Sequence, residues 1–230
     1  PYAMLLNGGH EIDGKLVERI QDRFGRTVMR RDERECPDCR KLAWDGAPPP
    51  ALPDTRPEVV DPRHAYQMVA MLQGVVARGT GTAAQRIGKP VAGKTGTTND
   101  SRDAWFVGFA PDLAVGVYVG FDRPRNLGRQ ATGGSVALPI WVDFMSAALE
   151  DAPATPFRTP AGVRLVRIDA ETGLLPGSDA RAVIAEAFLP GTEPTSRAVS
   201  GSIPATATTD GSGSPAGGAV IEDGAPTGLY

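Results

Sequence analysis

Residues 104–121 alternate with the period of a strand and are interrupted once, at Pro111-Asp112. "AWFVGFA" and "LAVGVYVGF" read as two strands joined by that tight turn, and so short a link makes them antiparallel. In the second run Val115, Val117, Val119 and Phe121 share one face. Ala114, Gly116 and Gly120 take the other, which predicts a second layer close by. Upstream, residues 61–79 change to the helical period: Ala65, Met68, Val69, Leu72, Val75 and Val76 form a stripe. Asp61 suits the N-cap, Pro62 the first turn and Gly79 the end, while His64 reads as a plain surface histidine. Downstream, residues 137–150 form an amphipathic helix with Ile140, Trp141, Phe144, Met145, Ala148 and Leu149 on its apolar stripe. The class is α+β, an antiparallel sheet covered by helices.

The flanks are less periodic. "PYAMLLNGGH" reads as the last turns of a helix stopped at Gly8-Gly9, as if the chain were cut from a longer one. Residues 15–31 offer two extended runs around "DRFG", a hairpin. Residues 44–57 are a proline-rich loop. Residues 162–178 suit a small β-unit, and 186–195 are turn-forming. From 195 the chain is Ser, Gly, Ala, Thr and Pro with almost no large apolar side chain, which predicts disorder. The expected division is 1–150, a small extension at 151–194, and a tail at 195–230.

Composition narrows the function. The 230 residues are 41% hydrophobic and 22% charged with net charge −3, which gives no electrostatic footprint for nucleic acid. No apolar run is long enough to span a membrane. Cys36 and Cys39 form a C-x-x-C pair in a charged loop, and the two histidines, His10 and His64, lie far off in sequence. A loop disulfide or idle thiols fit that setting better than a metal or redox site.

Of 24 basic residues only four are lysines, and Lys94 stands in "VAGKTGTTND". One reading is a solvated strand-edge cation. Another is an anion cradle. Alternation puts Lys94 and Gly96 on one face and Thr95 and Thr97 on the other. Threonine hydroxyls can donate to a carboxylate, edge N–H groups can point at a carbonyl oxygen, and an ammonium can hold a neighbouring hydroxyl. Such a segment would receive a peptide ending in a carboxylate, laid along the strand.

"GKTGTTNDSRDAWFVGFAPDLAVGVYVGFD", with "MLQGVVARGTG" before it and "TGGSVALPIWVDFM" after it, resembles class A penicillin-binding proteins of the 1A type. "YAMLLNGGH" and "RIDAETGLLP" are similar to other parts of that family. The resemblance implies a β-lactamase/DD-peptidase-like fold and a serine DD-transpeptidase that crosslinks peptidoglycan stems through an acyl-enzyme. It makes Lys94 the K-T-G lysine, Thr95 and Thr97 carboxylate anchors, Gly96 the close-approach position, and Thr98 an accessory binding residue. The Thr97 N–H becomes half of an oxyanion hole. The implied partners are peptidoglycan stem peptides and β-lactams, with no metal or organic cofactor. The implied setting is the periplasmic face of the bacterial inner membrane, with the anchor and a glycosyltransferase domain upstream. The chain departs from the pattern in lacking S-x-x-K and S-x-N, so it reads as the C-terminal half of a transpeptidase domain. The alternatives are a β-lactamase-like hydrolase and a non-catalytic penicillin- or peptidoglycan-binding module.

Overall fold

The computed structural model describes residues 1–32, 34, 36, 46, 52 and 54–198. Eight of the fourteen residues of the proline-rich loop, and Cys39, lie outside the described residues; Cys36 is disulfide-bonded.

Helix α1, Tyr2–Leu6, ends as the two glycines require. The Gly9 N–H donates to Met4 O at 2.9 Å and that of Gly8 to Leu5 O at 3.4 Å, a Schellman closure with Gly8 at φ 79°. Strands β1, Arg19–Gln21, and β2, Thr27–Arg30, form the expected hairpin. Helix α2, Pro62–Arg78, starts on Asp61, whose carboxylate accepts the Arg63 N–H at 2.8 Å. Its buried arc is Ala65, Tyr66, Val69, Leu72 and Val76, and Met68 is 44% exposed. The arc is turned toward Tyr66 because a C-terminal hairpin packs there. The Tyr66 hydroxyl accepts from Thr159, and Gln67 donates to Ala187 O at 2.9 Å.

Strands β3, Ala92–Thr97, β4, Asp103–Ala110, and β5, Leu113–Gly120, make an antiparallel sheet in that order, so β3 is an edge strand among the described residues. A 3-10 helix, Thr82–Ile87, leads into β3. One face of the sheet carries Phe106, Val115, Val117 and Val119 and is covered by a π-helical turn, Gly133–Ala137, and helix α3, Leu138–Ala148. The α3 arc is Leu138, Trp141, Val142 and Met145, with Leu149 just beyond; Ile140 and Phe144 are more than half exposed. Trp141 sets that rotation. Its indole N–H donates to Val115 O at 3.1 Å, and its ring meets Phe106 edge-on at 4.9 Å. Both rings need space on the strands. Gly93 pairs with Gly108, and a Cβ at either would stand within 3 Å of the Phe106 or Trp141 ring.

The other face is covered at one end, where Ala92 and Phe109 join Tyr66, Val69, Leu72, Phe157 and Ala187. Farther along, Ala114 and Gly116 are exposed, so the expected close layer is absent there among the described residues. Phe121 lies past the strand end.

Strands β6, Arg164–Asp169, and β7, Val183–Phe188, form a second antiparallel pair. Residues 186–188 are thus strand, not turn, because they pair with 164–166 and lie on α2. The expected tail also begins too early: residues 195–198 are placed, with the Leu175 N–H donating to Ser196 O at 3.0 Å, the Ala198 N–H donating to Leu175 O at 2.8 Å, and Arg197 bridging Leu175. The remainder of that tail, 199–230, lies outside the described residues.

Candidate active site on the K-T-G strand

The register pairs Lys94 with Val107, Thr95 with Phe106, Gly96 with Trp105 and Thr97 with Ala104. Thr98 donates its N–H to Asp103 O at 3.0 Å, so that amide points into the sheet. In an antiparallel ladder the direction alternates. The N–H and C=O groups of Thr97 and Thr95 therefore point away from β4, to the edge that no strand fills among the described residues. Lys94 supports this orientation. Its ammonium sits on the same edge, donating to Thr95 O at 2.9 Å.

The two threonine hydroxyls are each held by one neighbour. Thr95 Oγ1 lies 2.9 Å from Thr80 Oγ1, just past the end of α2. Thr97 Oγ1 accepts the Gly133 N–H at 3.0 Å. That bond uses a lone pair of the Thr97 hydroxyl and leaves its proton free to donate. Gly133 can approach only because it is glycine. A Cβ there would stand 2.2 Å from Trp105 O and 2.7 Å from Gly96 O. The turn is fixed by a reciprocal cap in which Thr132 Oγ1 accepts the Ser135 N–H at 3.2 Å and Ser135 Oγ accepts the Thr132 N–H at 2.9 Å.

On the opposite face Gly96 lies beside Trp105, whose Cβ is 3.3 Å from where a Cβ at 96 would be. Trp105 meets Tyr118 at 4.7 Å, and the Tyr118 hydroxyl donates to Asp103 Oδ1 at 2.9 Å. That carboxylate holds the Tyr118 pKa above its ordinary value, because ionising the hydroxyl would set two negative charges together.

Of the five residues singled out in the sequence, Lys94, Thr95, Gly96 and Thr97 line one exposed or half-buried stretch of strand. Thr98 does not join them through its side chain. Its hydroxyl accepts the Asp103 N–H at 2.8 Å and closes the β3–β4 turn. Two participants were not legible, Thr80 and Gly133. Their segments, "GTG" and "TGG", stand out as glycine-rich, but no local signal reports a contact across 15 or 36 residues.

A family model described as "Penicillin binding protein transpeptidase domain" matches residues 2–146. The chain belongs to that family. A second model, "Penicillin-binding protein 1A, C-terminal domain", matches residues 159–197. Penicillin-binding protein 1A of Rickettsia conorii is 44% identical over 192 residues, 81% of this chain and 24% of that protein. The Rickettsia bellii protein is 46% identical over 191 residues with the same coverage, and that of Neisseria gonorrhoeae 39% over 163 residues, 70% of this chain and 18% of that protein. The crystal structure of penicillin-binding protein 1A from Haemophilus influenzae superposes with a TM-score of 0.68 at 30% identity, covering 86% of this chain and 32% of that one. The α+β arrangement that the sequence pattern predicts is thus that of a penicillin-binding transpeptidase domain, as the resemblance implies. The chain spans about a quarter of the length of the Rickettsia relatives, 24%.

Proposed function

We propose that the chain is the C-terminal half of a serine D-Ala-D-Ala transpeptidase that crosslinks peptidoglycan stems. The observation that carries this is the outward-facing edge of β3, with the N–H of Thr97, the hydroxyls of Thr95 and Thr97, and the Lys94 ammonium on one strand. In this reading a serine supplied by residues outside this chain attacks the carbonyl of the penultimate D-Ala. The Thr97 N–H receives the developing oxyanion, the threonine hydroxyls hold the terminal carboxylate, and D-alanine leaves. An amine from a second stem then takes the acyl group from the serine, forming the new amide and returning the hydroxyl. Lys94 holds the region electropositive and orients a neighbouring hydroxyl.

Similarity to penicillin-binding protein 1A extends the reading to the parent protein. It would carry a glycosyltransferase domain and an upstream anchor, face the periplasm from the inner membrane, and be acylated by β-lactams. Among the described residues no helix is long and apolar enough to cross a membrane. Residues 1–150 act here as part of the transpeptidase domain and 151–194 as an extension that shares its core through Phe157 and Ala187.

The test is acylation of the full-length protein by a fluorescent penicillin. Arginine is bulkier than lysine and its donors lie in one plane, so it cannot replace a compact ammonium beside a hydroxyl. Lys94→Arg should slow labelling by about 30- to 1,000-fold, about 2–4 kcal/mol in the barrier, with an unchanged melting temperature. Wild-type labelling rates in that variant would return Lys94 to a solvated edge residue. A β-lactamase-like hydrolase would instead release the label rapidly, and a binding module would never form the covalent adduct.

A further inference from the structure

The segment joining β5 to the π-helical turn, 121–131, carries Arg123, Arg125 and Arg129, all exposed. It is tied down along its length. Leu127 donates its N–H to Ser101 O at 2.9 Å, the Asn126 amide donates to Asp100 O, and Ser135 Oγ donates to Gln130 O at 2.7 Å. One side of the loop is thus bonded to the turn that ends the K-T-G strand. Its far end runs into Gly133, which is bonded to Thr97 itself. Gly133 lies four positions after Arg129, a reach of at most about 14 Å between their Cα atoms.

The arginines are not neutralised within the structure. Among the described residues none of the three is in an ion pair. Of the carboxylates in these segments, Asp100 pairs with Arg102 at 3.2 Å and Asp103 accepts from Tyr118 and the Thr98 hydroxyl. Asp122 remains, one carboxylate against three guanidinium groups. Arg125 lies 3.8 Å over the Phe121 ring, a stack that fixes the plane while leaving its in-plane N–H donors available.

The roles assigned above set the direction of a bound peptide. With its terminal carboxylate between the Thr95 and Thr97 hydroxyls and its scissile carbonyl at the Thr97 N–H, the residues before the scissile bond continue past Thr97 toward Thr98–Arg102. Two or three such residues cover about 7–10 Å, which brings their side chains to this loop. We propose that Arg123, Arg125 and Arg129 form a carboxylate-receiving rim that selects donor peptides bearing an acidic group on the residues before the scissile bond. The proposal rests on the transpeptidase reading and adds its donor specificity. Exposed charge pairs are individually weak, so the effect comes from three guanidinium groups acting on one ligand.

The experiment uses the full-length protein and its Arg123→Gln/Arg125→Gln/Arg129→Gln variant. Two synthetic peptides ending in D-Ala-D-Ala are compared, one with free side-chain carboxylates and one with the same groups amidated. A fluorescent penicillin with a neutral side chain reports on the K-T-G edge. We expect kcat/KM for the acidic peptide to fall about tenfold, mainly through KM, and Arg129→Lys alone to keep most of the rate. The amidated peptide should change less than about twofold, and penicillin labelling should not change. An unchanged rate on the acidic peptide overturns the rim, and so does an equal loss on both peptides. Lost penicillin labelling in the variant also overturns it, by making the loop a support for Thr97. If the wild-type protein takes no penicillin label, the transpeptidase reading fails and the rim falls with it.

Discussion

The N–H of Gly133 donates to the hydroxyl oxygen of Thr97 at 3.0 Å, from a turn 36 residues away in the chain. This bond fixes where the hydroxyl proton can go. It also makes residue 133 part of the site without giving it a side chain. Gly133→Ala would place a methyl 2.2 Å from Trp105 O, so the turn must lift and the bond must break. We expect penicillin acylation of the full-length protein to drop by at least tenfold, and stability by about 1–3 kcal/mol, the range for overpacking. Thr97→Val keeps the shape and removes the hydroxyl. It should slow acylation and, because the Gly133 N–H loses its acceptor, lower stability by about 1–3 kcal/mol without the steric displacement of the turn.

Thr80 supports Thr95 through a hydroxyl–hydroxyl contact of 2.9 Å. Thr80→Val should weaken the hold on Thr95 by about 0.5–1.5 kcal/mol, roughly two- to tenfold in acylation. Thr80→Ser should restore it. Equal rates for all three proteins would show that Thr95 needs no such partner.

Lys89 occupies the other site where an ammonium suits better than a guanidinium. Its Nζ donates to Ala152 O at 2.7 Å, Glu150 O at 3.1 Å and Leu149 O, the carbonyls left open where α3 ends. Lys89→Ala should lower stability by about 1–3 kcal/mol in chemical denaturation. Arg at this position cannot converge its planar donors on three carbonyls and should recover only part of that.

Asp169 is buried at the end of β6 and accepts from the Thr172 N–H at 2.9 Å, the Thr172 hydroxyl at 3.0 Å and the Glu171 N–H at 3.0 Å. The Thr172 backbone bond is the largest cause holding its pKa below the ordinary carboxylate value, with burial opposing. A carboxylate with a depressed folded pKa stabilises the protein above its unfolded pKa. That contribution is lost as pH falls through the folded value. Melting followed from pH 7 downward should therefore show wild type and Asp169→Ala converging below about pH 4. A constant gap across that range would mean the carboxylate's charge contributes nothing.

The sheet was legible because alternation and a two-residue turn specify it locally. Asp61-Pro62 likewise announces the start of α2. The faces of the helices were less so. Ile140 and Trp141 are both large and apolar, and only the indole bond to Val115 O decides which of them turns inward. Strand β7 was missed because its partner lies about 20 residues back and "LPG" directly after it reads as a turn. In the site, Lys94 through Thr97 were readable as a motif, while Thr80 and Gly133 depend on contacts made only once the chain has folded. Thr98 was read as an accessory binding residue, whereas its hydroxyl accepts the Asp103 N–H, because a run of threonines gives no hint of where the strand ends.

Strand β3 behaves as a cantilever. At Ala92 and Gly93 it is clamped between packed layers, with the Phe106 and Trp141 rings pressed onto the facing glycines Gly93 and Gly108. From Thr95 onward its outer side has no strand beside it among the described residues, and a beam fixed at one end deflects most at the other. Gly133 is the prop under that free end. Small changes in the α3–sheet core should therefore reach Thr97 as angular error, magnified along the strand. A substitution that leaves the motif untouched, such as Trp141→Phe, could then disturb reaction geometry before it measurably loosens the fold.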